Sequence, residues 1–209
     1  MARKILIIGA GGHGKVVADA ALAAGDSVAG FVDADESRAG QTVLGLPILG
    51  TIARLEHVAR AAGCRHAAVA IGDNRVRLEH AREVRRAGLE LATIVHPAAT
   101  VSPTATLGDG VVVCMGAAIC VEASVGEAAI VNTNAVVDHE CIVGPAAHVG
   151  PGASLAGRVE IGEGAFVGIG ATVIQCVRLG AWSTLGAGGV LLRDAGDGLK
   201  LVGVPARPL

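Results

Sequence analysis

Residues 125–148 read VGEAAI-VNTNAV-VDHECI-VGPAAH, four hexads that each begin with valine. The pattern extends in both directions, so every sixth residue from Val95 to Leu191 is aliphatic, at seventeen positions without interruption. Four residues after each of these positions stands a small or β-branched residue. A period of six fits neither an amphipathic helix nor the alternation of a strand, but it is the repeat of parallel β-helices. The sequence therefore predicts a solenoid.

The expected geometry of this coil follows from its period. Three hexads complete one lap, the aliphatic residues point into a narrow prism, and the glycines that follow many of them are expected at the corners. Successive laps stack at about 4.8 Å, the spacing of neighbouring strands, so residues eighteen apart lie one above the other. The narrow interior accounts for the scarcity of aromatic residues, which are Phe31, Phe166 and Trp182 alone.

Composition excludes several classes of partner. The formal net charge of −2 provides no basic field for nucleic acid or an anionic membrane, so neither is expected as a partner. No apolar run suggests a membrane span or an export signal, and we expect a cytoplasmic protein. The cysteines are odd in number and form no C-x-x-C pair, which predicts reduced, packed thiols at Cys64, Cys114, Cys120, Cys141 and Cys176.

The N-terminal region begins as a nucleotide-binding fold does. The apolar run Ile5–Ile8 predicts a buried strand, and the segment Gly9-Ala-Gly-Gly-His-Gly14 follows it before a helix predicted over 15–24. Such a turn presents backbone N–H groups to phosphate at a helix N-terminus. Asp33 stands where a dinucleotide fold places its ribose-binding acid. Because only 94 residues precede the solenoid, we expect one nucleotide and not two.

The rest of this region predicts alternating helices and strands. Helices are expected over 51–62 and 75–87, and strands over 67–71 and 89–95. Gly72-Asp-Asn74 lies at the carboxyl end of a strand, where open α/β sheets bind ligands, although Asp73 or Asn74 could equally be only a helix N-cap. The predicted architecture is a Rossmann-like α/β domain over 1–94 followed by a parallel β-helix with a C-terminal tail over 95–209.

His139 is the strongest candidate for chemistry within the coil. It is flanked by Asp138 and Glu140, and a histidine beside a fixed carboxylate can accept a proton near neutral pH. The residue eighteen positions later is Gly157, so bare backbone with an accessible N–H should face the imidazole. A base next to a backbone donor suits acyl transfer, in which an oxyanion develops. The alternative is a surface histidine with solvated acidic neighbours.

His148 lies nine residues after His139, which is half a lap of the coil. Two side chains half a lap apart cannot easily meet in one subunit, so a site that uses both draws them from neighbouring chains. This spacing favours a cyclic oligomer, and threefold symmetry suits a triangular prism. Zinc held by His96, His139 and His148 is a further possibility, but the sequence lacks a close pair of histidine ligands and no metal is expected.

Several short motifs, in this order, resemble those of one family. They are Gly9-Ala-Gly-Gly-His-Gly14, Phe31-Val-Asp33, Ala70-Ile-Gly-Asp-Asn74, Asn132-Thr-Asn134, His139-Glu-Cys, His148, Ala156-Gly157 and Gly203-Val-Pro-Ala-Arg207. Together they resemble the left-handed β-helix (hexapeptide-repeat) acyltransferases over the whole chain. Within them the sequence is similar to nucleotide-aminosugar N-acetyltransferases, such as those acting on perosamine, which are related to the sialic acid O-acetyltransferases.

The resemblance implies a homotrimer with active sites between subunits and acetyl-CoA as co-substrate. His139 would be the general base, oriented by Glu140 or Asp138, and Gly157 would donate its N–H to the thioester oxygen. The residues implied for acetyl-CoA are His148, Gly157, Ile169, Ala187, Gly188, Gly203, Pro205 and Arg207. The residues implied for the nucleotide-sugar are Gly11, Gly12, His13, Asp33, Asp35, Gly72, Asn74, Asn132 and Asn134.

The predicted activity is acetyl transfer from acetyl-CoA to the amine, at C4, of a nucleotide-linked amino-dideoxysugar such as GDP-perosamine or a UDP-linked counterpart. The nearest alternative is O-acetylation of sialic acid or a related sugar by the same scaffold. A non-catalytic nucleotide-sensing module would retain only the oligomerising coil. An NAD-dependent oxidoreductase is suggested by Gly9–Gly14 and Asp33 alone.

Overall fold

The computed structural model describes residues 2–209, and the chain forms two compact units that meet in sequence at Val95 and His96. The N-terminal unit contains a sheet with strand order β3-β4-β2-β1-β5-β6. Its strands are β1 (Lys4–Ile8), β2 (Ser27–Asp33), β3 (Thr42–Val43), β4 (Leu46–Thr51), β5 (His66–Val69) and β6 (Glu90–Leu91), and β7 (Ile94–Val95) ends the unit. Its helices are α1 (Gly12–Ala23), α2 (Leu55–Ala62) and α3 (Asn74–Arg86), with 3₁₀ turns at Glu36–Arg38 and Ile52–Arg54.

The sheet of this unit is parallel except at one edge. β1 pairs in parallel with both β2 and β5, and its run Ile5–Ile8 is fully buried, as predicted for a central strand. β3 and β4 form an antiparallel hairpin that was not predicted from the sequence. Its two-residue turn places Leu44 and Gly45 at φ of 52° and 73°, the left-handed pair that a tight hairpin turn requires. Leucine is an unusual residue in that conformation, so the turn carried no recognisable signal.

The C-terminal unit is a parallel β-helix, as the six-residue period predicted. Its strands are β8 (Thr100–Val101), β9 (Thr106–Leu107), β10 (Val112–Val113), β11 (Ala118–Ile119), β12 (Ser124–Val125), β13 (Ile130–Val131), β14 (Val136–Val137), β15 (Ile142–Val143), β16 (His148–Val149), β17 (Ser154–Leu155), β18 (Glu160–Ile161), β19 (Phe166–Val167), β20 (Thr172–Val173), β21 (Arg178–Leu179), β22 (Thr184–Leu185), β23 (Val190–Leu191), β24 (Lys200–Val202) and β25 (Arg207–Pro208).

Each strand from β8 to β20 pairs with the strand three places later in the chain, so the strands form three walls. β11 pairs with β14 and β14 with β17, each in parallel and with partners eighteen residues apart. The aliphatic column of each wall fills the interior, and Val131, Val149 and Val167 are fully buried. Removing this apolar surface from water is the main term that favours the coil.

The residues at the corners of the coil are not all glycine, contrary to the prediction from the sequence. The left-handed residue of each corner comes three positions after the aliphatic one, at every sixth residue from Gly110 to Gly188, and many of these residues are not glycine. The glycines directly after the aliphatic residues have a different function, because they let consecutive laps approach. A Cβ built on Gly144 would lie 2.7 Å from the backbone nitrogen of Glu163 on the next lap.

The described cysteines are only partly packed. Cys64, Cys114 and Cys141 are buried, whereas Cys176 is exposed, contrary to the expectation of packed thiols throughout. Burial raises the pKa of the Cys114 thiol to about 11, so this side chain behaves as a small apolar residue. Among residues 2–209, no helix combines the length and the apolar composition that a membrane crossing requires.

The two kinds of glycine predict opposite tolerance to substitution. Gly144→Ala should lower the free energy of unfolding by about 2–3 kcal/mol, because the added methyl group overlaps the next lap. Gly152→Asn should change it by less than about 0.5 kcal/mol, because Gly152 has open space around its Cβ position and Asn tolerates left-handed backbone. Chemical denaturation of both variants measures the difference. Equal stability of the two would contradict this account of the stacking.

Candidate functional site

The corner between β14 and β15 presents Asp138, His139 and Glu140. The His139 Nδ1 lies 2.9 Å from the Glu140 carboxylate, and the His139 backbone N–H donates to Asp138 Oδ1 at 2.7 Å. Glu140 therefore contacts the imidazole ring, whereas Asp138 fixes the backbone. When Nδ1 carries the proton and its N–H donates a hydrogen bond to the Glu140 carboxylate, Nε2 is left as the acceptor.

Glu140 occupies the left-handed corner position, with φ of 58°. The hydrogen bond from His139 holds the pKa of the Glu140 carboxyl below its usual range, and the nearby Arg158 guanidinium adds to this effect. The carboxylate is therefore ionised at neutral pH and can balance a positive charge that forms on the imidazole.

Gly157 lies directly over His139, one lap further along. A Cβ on Gly157 would overlap Nε2 and Cε1 of the imidazole, so only glycine leaves room for the ring. The next residue, Arg158, donates its backbone N–H to the His139 carbonyl oxygen at 2.9 Å. Gly157 is buried with the ring packed against it, whereas the sequence predicted backbone that is open to solvent. Within residues 2–209, its N–H makes no backbone hydrogen bond.

His148 lies on a wall of the coil and not at a corner. It is 7% exposed on β16, and its Nε2 is 2.9 Å from the amide nitrogen of Asn132. The Phe166 ring, one lap later on the same wall, packs edge-to-face on it with centroids 5.1 Å apart. The structure thus places His148, which the resemblance implied for acetyl-CoA, in hydrogen-bond contact with Asn132, which it implied for the nucleotide-sugar. Asn134 occupies a left-handed corner with φ of 55°.

Three of the residues implied for acetyl-CoA, Ile169, Ala187 and Gly188, share one exposed corner. Gly188 donates its backbone N–H to the Ile169 carbonyl oxygen at 2.9 Å, and the Ile169 side chain is 59% exposed. Ala187 lies eighteen residues after Ile169 in the same column. The C-terminal tail folds back as an antiparallel pair in which Arg207 lies opposite Val202. Gly203 and Pro205 lie in the exposed turn between these strands.

A cavity of about 350 Å³ opens in the N-terminal unit at the carboxyl ends of the strands. It is lined by Gly9, Gly11, Gly12, His13, Asp33, Ala34, Arg38, Ile52, Ala70, Ile71, Gly72, Val76 and His80. Five residues assigned to the nucleotide-sugar are therefore brought together here. Asp35 and Asn74 do not line the cavity, because Asp35 caps the 3₁₀ turn through Ser37 and Asn74 is buried in the first turn of α3.

Asp33 fixes the glycine-rich turn. Its Oδ2 accepts from the Ala10 backbone N–H and from Arg38 Nη1, both at 2.8 Å, and Arg38 Nη2 donates to the Ala10 carbonyl oxygen at 2.9 Å. These two bonds use two of the five N–H donors of the guanidinium, and the side chain lines the cavity. Arg38 was not among the residues predicted from the sequence, although a basic residue five positions after Asp33 was the available signal.

Arg77 supports the cavity from behind. It is 1% exposed and donates to the Ile71 and Gly72 carbonyl oxygens and to Asn74 Oδ1, at 2.9, 3.1 and 2.8 Å. Burial lowers the pKa of Arg77 to about 10, so the side chain stays charged at neutral pH. Burial, followed by the Arg77 charge, lowers the pKa of His13 to about 4, so His13 is neutral there.

The sequence left open whether Asp73 contacts a ligand or caps a helix, and the structure shows that it is a helix cap. Asp73 Oδ1 accepts from the backbone N–H groups of Arg75 and Val76, at 2.9 and 3.0 Å, and is the N-cap of α3. Within residues 2–209, no group of three or more His, Cys, Asp or Glu side chains is arranged to hold a metal ion.

Comparisons with known proteins identify the family of the chain. Residues 4–84 match the family described as PglD N-terminal domain. The chain is similar to a histidine-to-alanine mutant of GDP-perosamine N-acetyltransferase from Caulobacter crescentus, crystallised with CoA and GDP-perosamine. The TM-score is 0.94 and the identity 47%, over 99% of this chain and 96% of that one.

A second similar structure is the acetyltransferase domain of PglB from Neisseria gonorrhoeae FA1090 in complex with acetyl coenzyme A. Its TM-score is 0.92 and its identity 39%, over all of both chains. WeeI from Acinetobacter baumannii AYE shares the fold, with a TM-score of 0.89 and 24% identity over 99% of this chain and 100% of that one. No curated protein matched the chain. The coil is the left-handed β-helix that the resemblance implied, and the chain belongs to the hexapeptide-repeat sugar acetyltransferases.

Proposed function

We propose that the protein transfers the acetyl group of acetyl-CoA to the amine of a nucleotide-linked amino-dideoxysugar, at C4 of a sugar such as GDP-perosamine. The observation that carries this proposal is the His139 ring held by Glu140 at Nδ1 with the Gly157 backbone next to Nε2. The similar Caulobacter crescentus enzyme was crystallised with CoA and GDP-perosamine, which supports both substrates.

The chemistry follows from the residues at this corner. The neutral amine attacks the thioester carbonyl carbon, and His139 Nε2 accepts the proton that the nitrogen loses. The Gly157 N–H donates to the oxygen that becomes negative, and the Glu140 carboxylate balances the imidazolium. When the tetrahedral intermediate collapses, the carbon–sulfur bond breaks and the imidazolium returns its proton to the leaving thiolate. The products are the acetamido sugar and CoA.

The cavity of the N-terminal unit suits the nucleoside diphosphate, so we assign 1–94 to nucleotide-sugar binding and 95–209 to acyl transfer. Gly11, Gly12 and the N-terminus of α1 offer backbone N–H groups to phosphate. Arg38 adds a positive charge, and the N–H groups that do not bond to Asp33 or Ala10 are available to donate to the diphosphate.

We further propose a homotrimer in which acetyl-CoA lies between adjacent coils. His148 and Asn132 would face the thioester region, and the corner of Ile169 and Gly188 would follow the pantetheine arm. The exposed Ile169 side chain supports an apolar contact there. The five unpaired cysteines are consistent with a reducing compartment, and we place the enzyme in the cytoplasm.

Replacing the proposed base tests the mechanism. His139→Ala should lower kcat by about 10²–10⁴-fold, because proton removal from the amine loses its acceptor. The rate at which free CoA is released with an amino-sugar nucleotide measures this effect. The same assay with the hydroxyl analogue measures the preference for N-acetylation over O-acetylation. His57→Ala, which alters an exposed histidine on α2, is the control and should retain full activity. A loss below tenfold for His139→Ala would mean that His139 only positions the amine.

Arg38 provides a test of the nucleotide cavity. Arg38→Ala should weaken binding of GDP or UDP by about tenfold or more, because a charge-assisted contact to the diphosphate is lost. Titration calorimetry measures the affinity, and Arg54→Ala, an exposed arginine of the same unit, should leave it unchanged. Unaltered nucleotide affinity in Arg38→Ala would place the diphosphate elsewhere.

Subunit mixing tests the shared site. His139→Ala and His148→Ala subunits, unfolded and refolded together in equal amounts, should regain roughly one quarter of wild-type activity, because that share of interfaces pairs an intact His139 with an intact His148. Each variant refolded alone gives the background. If the mixture shows only the average of the two backgrounds, each site is built within one chain or the protein is not a cyclic oligomer.

A further inference from the structure

Arg158 has no part in the mechanism described above, yet it contacts the catalytic corner. Its Nε lies 3.2 Å from Glu140 Oε2, the same oxygen that lies 2.9 Å from His139 Nδ1. One carboxylate oxygen therefore bridges the guanidinium and the imidazole. Because two donors share this acceptor, the orientation of the carboxylate depends on both.

The register of the coil fixes this arrangement. Arg158 is eighteen residues after Glu140, both have φ of 58°, and the Arg158 backbone N–H is bonded to the His139 carbonyl oxygen. Glu122, eighteen residues before Glu140, also has φ of 58° and is exposed. Glu140 thus stands in a column with a like charge on the preceding lap and a cation on the following lap. Of these two neighbours, the cation is the one that the Glu140 carboxylate contacts, which directs the carboxylate toward Arg158.

We propose that Arg158 is a positioning residue that keeps the Glu140 carboxylate on His139 Nδ1. With the carboxylate in place, the proton stays on Nδ1 and Nε2 remains the acceptor. Without Arg158, the half-exposed Glu140 side chain can rotate into solvent, and the ring loses its fixed tautomer. The inference rests on the proposed function of His139 as the base.

The expected effect is moderate because both side chains are accessible, Arg158 at 63% and Glu140 at 46%. An exposed ion pair of this kind changes an equilibrium by about two- to fivefold. Arg158→Ala should therefore lower kcat by about two- to fivefold and leave the KM of both substrates unchanged. Arg158→Lys, which keeps the charge, should recover part of this loss.

The matched control is Arg178→Ala. Arg178 is an arginine of the same coil, 53% exposed and 3.6 Å from Asp197. Its removal should leave kcat unchanged. An equal loss in Arg178→Ala and Arg158→Ala would show a general effect of surface charge and would overturn the proposal.

A double-mutant cycle separates indirect from direct action. If Arg158 acts through Glu140, then Arg158→Ala should cause no further loss of kcat in a Glu140→Ala background. Multiplicative losses, or a rise in the KM for acetyl-CoA alone, would show that Arg158 contacts a substrate and would overturn the positioning role.

The tautomer of His139 can be measured without any substrate. Nitrogen-15 NMR of the histidine rings, with His139→Asn used to assign the signal, should show the Nδ1–H form in the unliganded wild type. A mixture of tautomers is expected in Arg158→Ala. An unchanged signal in Arg158→Ala, together with unchanged kcat, would refute the inference. A changed signal in a protein without acetyltransferase activity would instead uphold the coupling and reject the proposed function.

Discussion

The vertical register of the coil is the constraint on which the remaining features depend. Each lap donates backbone N–H groups to carbonyl oxygens of the next, as in the bond from Ile130 to Ala147 and that from His148 to Ala165. Aliphatic residues at every sixth position hold this register, because a slip of one residue would expose an entire column of the core. Once the register is fixed, side chains eighteen residues apart are neighbours in space.

This register holds polar side chains together at corners whose left-handed backbone would otherwise be unfavourable. Glu140 and Arg158 both adopt left-handed conformations, which residues other than glycine seldom populate. The laps on either side determine the backbone at these corners, so the strain is tolerated and the polar side chains are held together. The imidazole of His139 consequently needs only a glycine above it and a carboxylate beside it.

His13 in the N-terminal unit and His139 in the coil lie in different electrostatic environments. Burial and then the charge of Arg77 lower the pKa of the half-buried His13 to about 4, so the ring is neutral at neutral pH and is a poor proton acceptor there. His139 lies at an accessible corner with an ionised carboxylate on one nitrogen. Burial and neighbouring charge, and not residue type, distinguish the two environments.

Sequence periodicity alone determined the coil, its three walls and the stacking of Gly157 on His139, because a strict repeat of six allows only one register. The glycine motif after the apolar run Ile5–Ile8 located the glycine-rich turn. The hairpin at Leu44 and Gly45 escaped prediction, since its turn uses an unusual residue. The engagement of Asp33 by Arg38 and Ala10, the capping role of Asp73 and the contact of Glu140 with the ring depend on side-chain directions, which the tertiary structure alone decides.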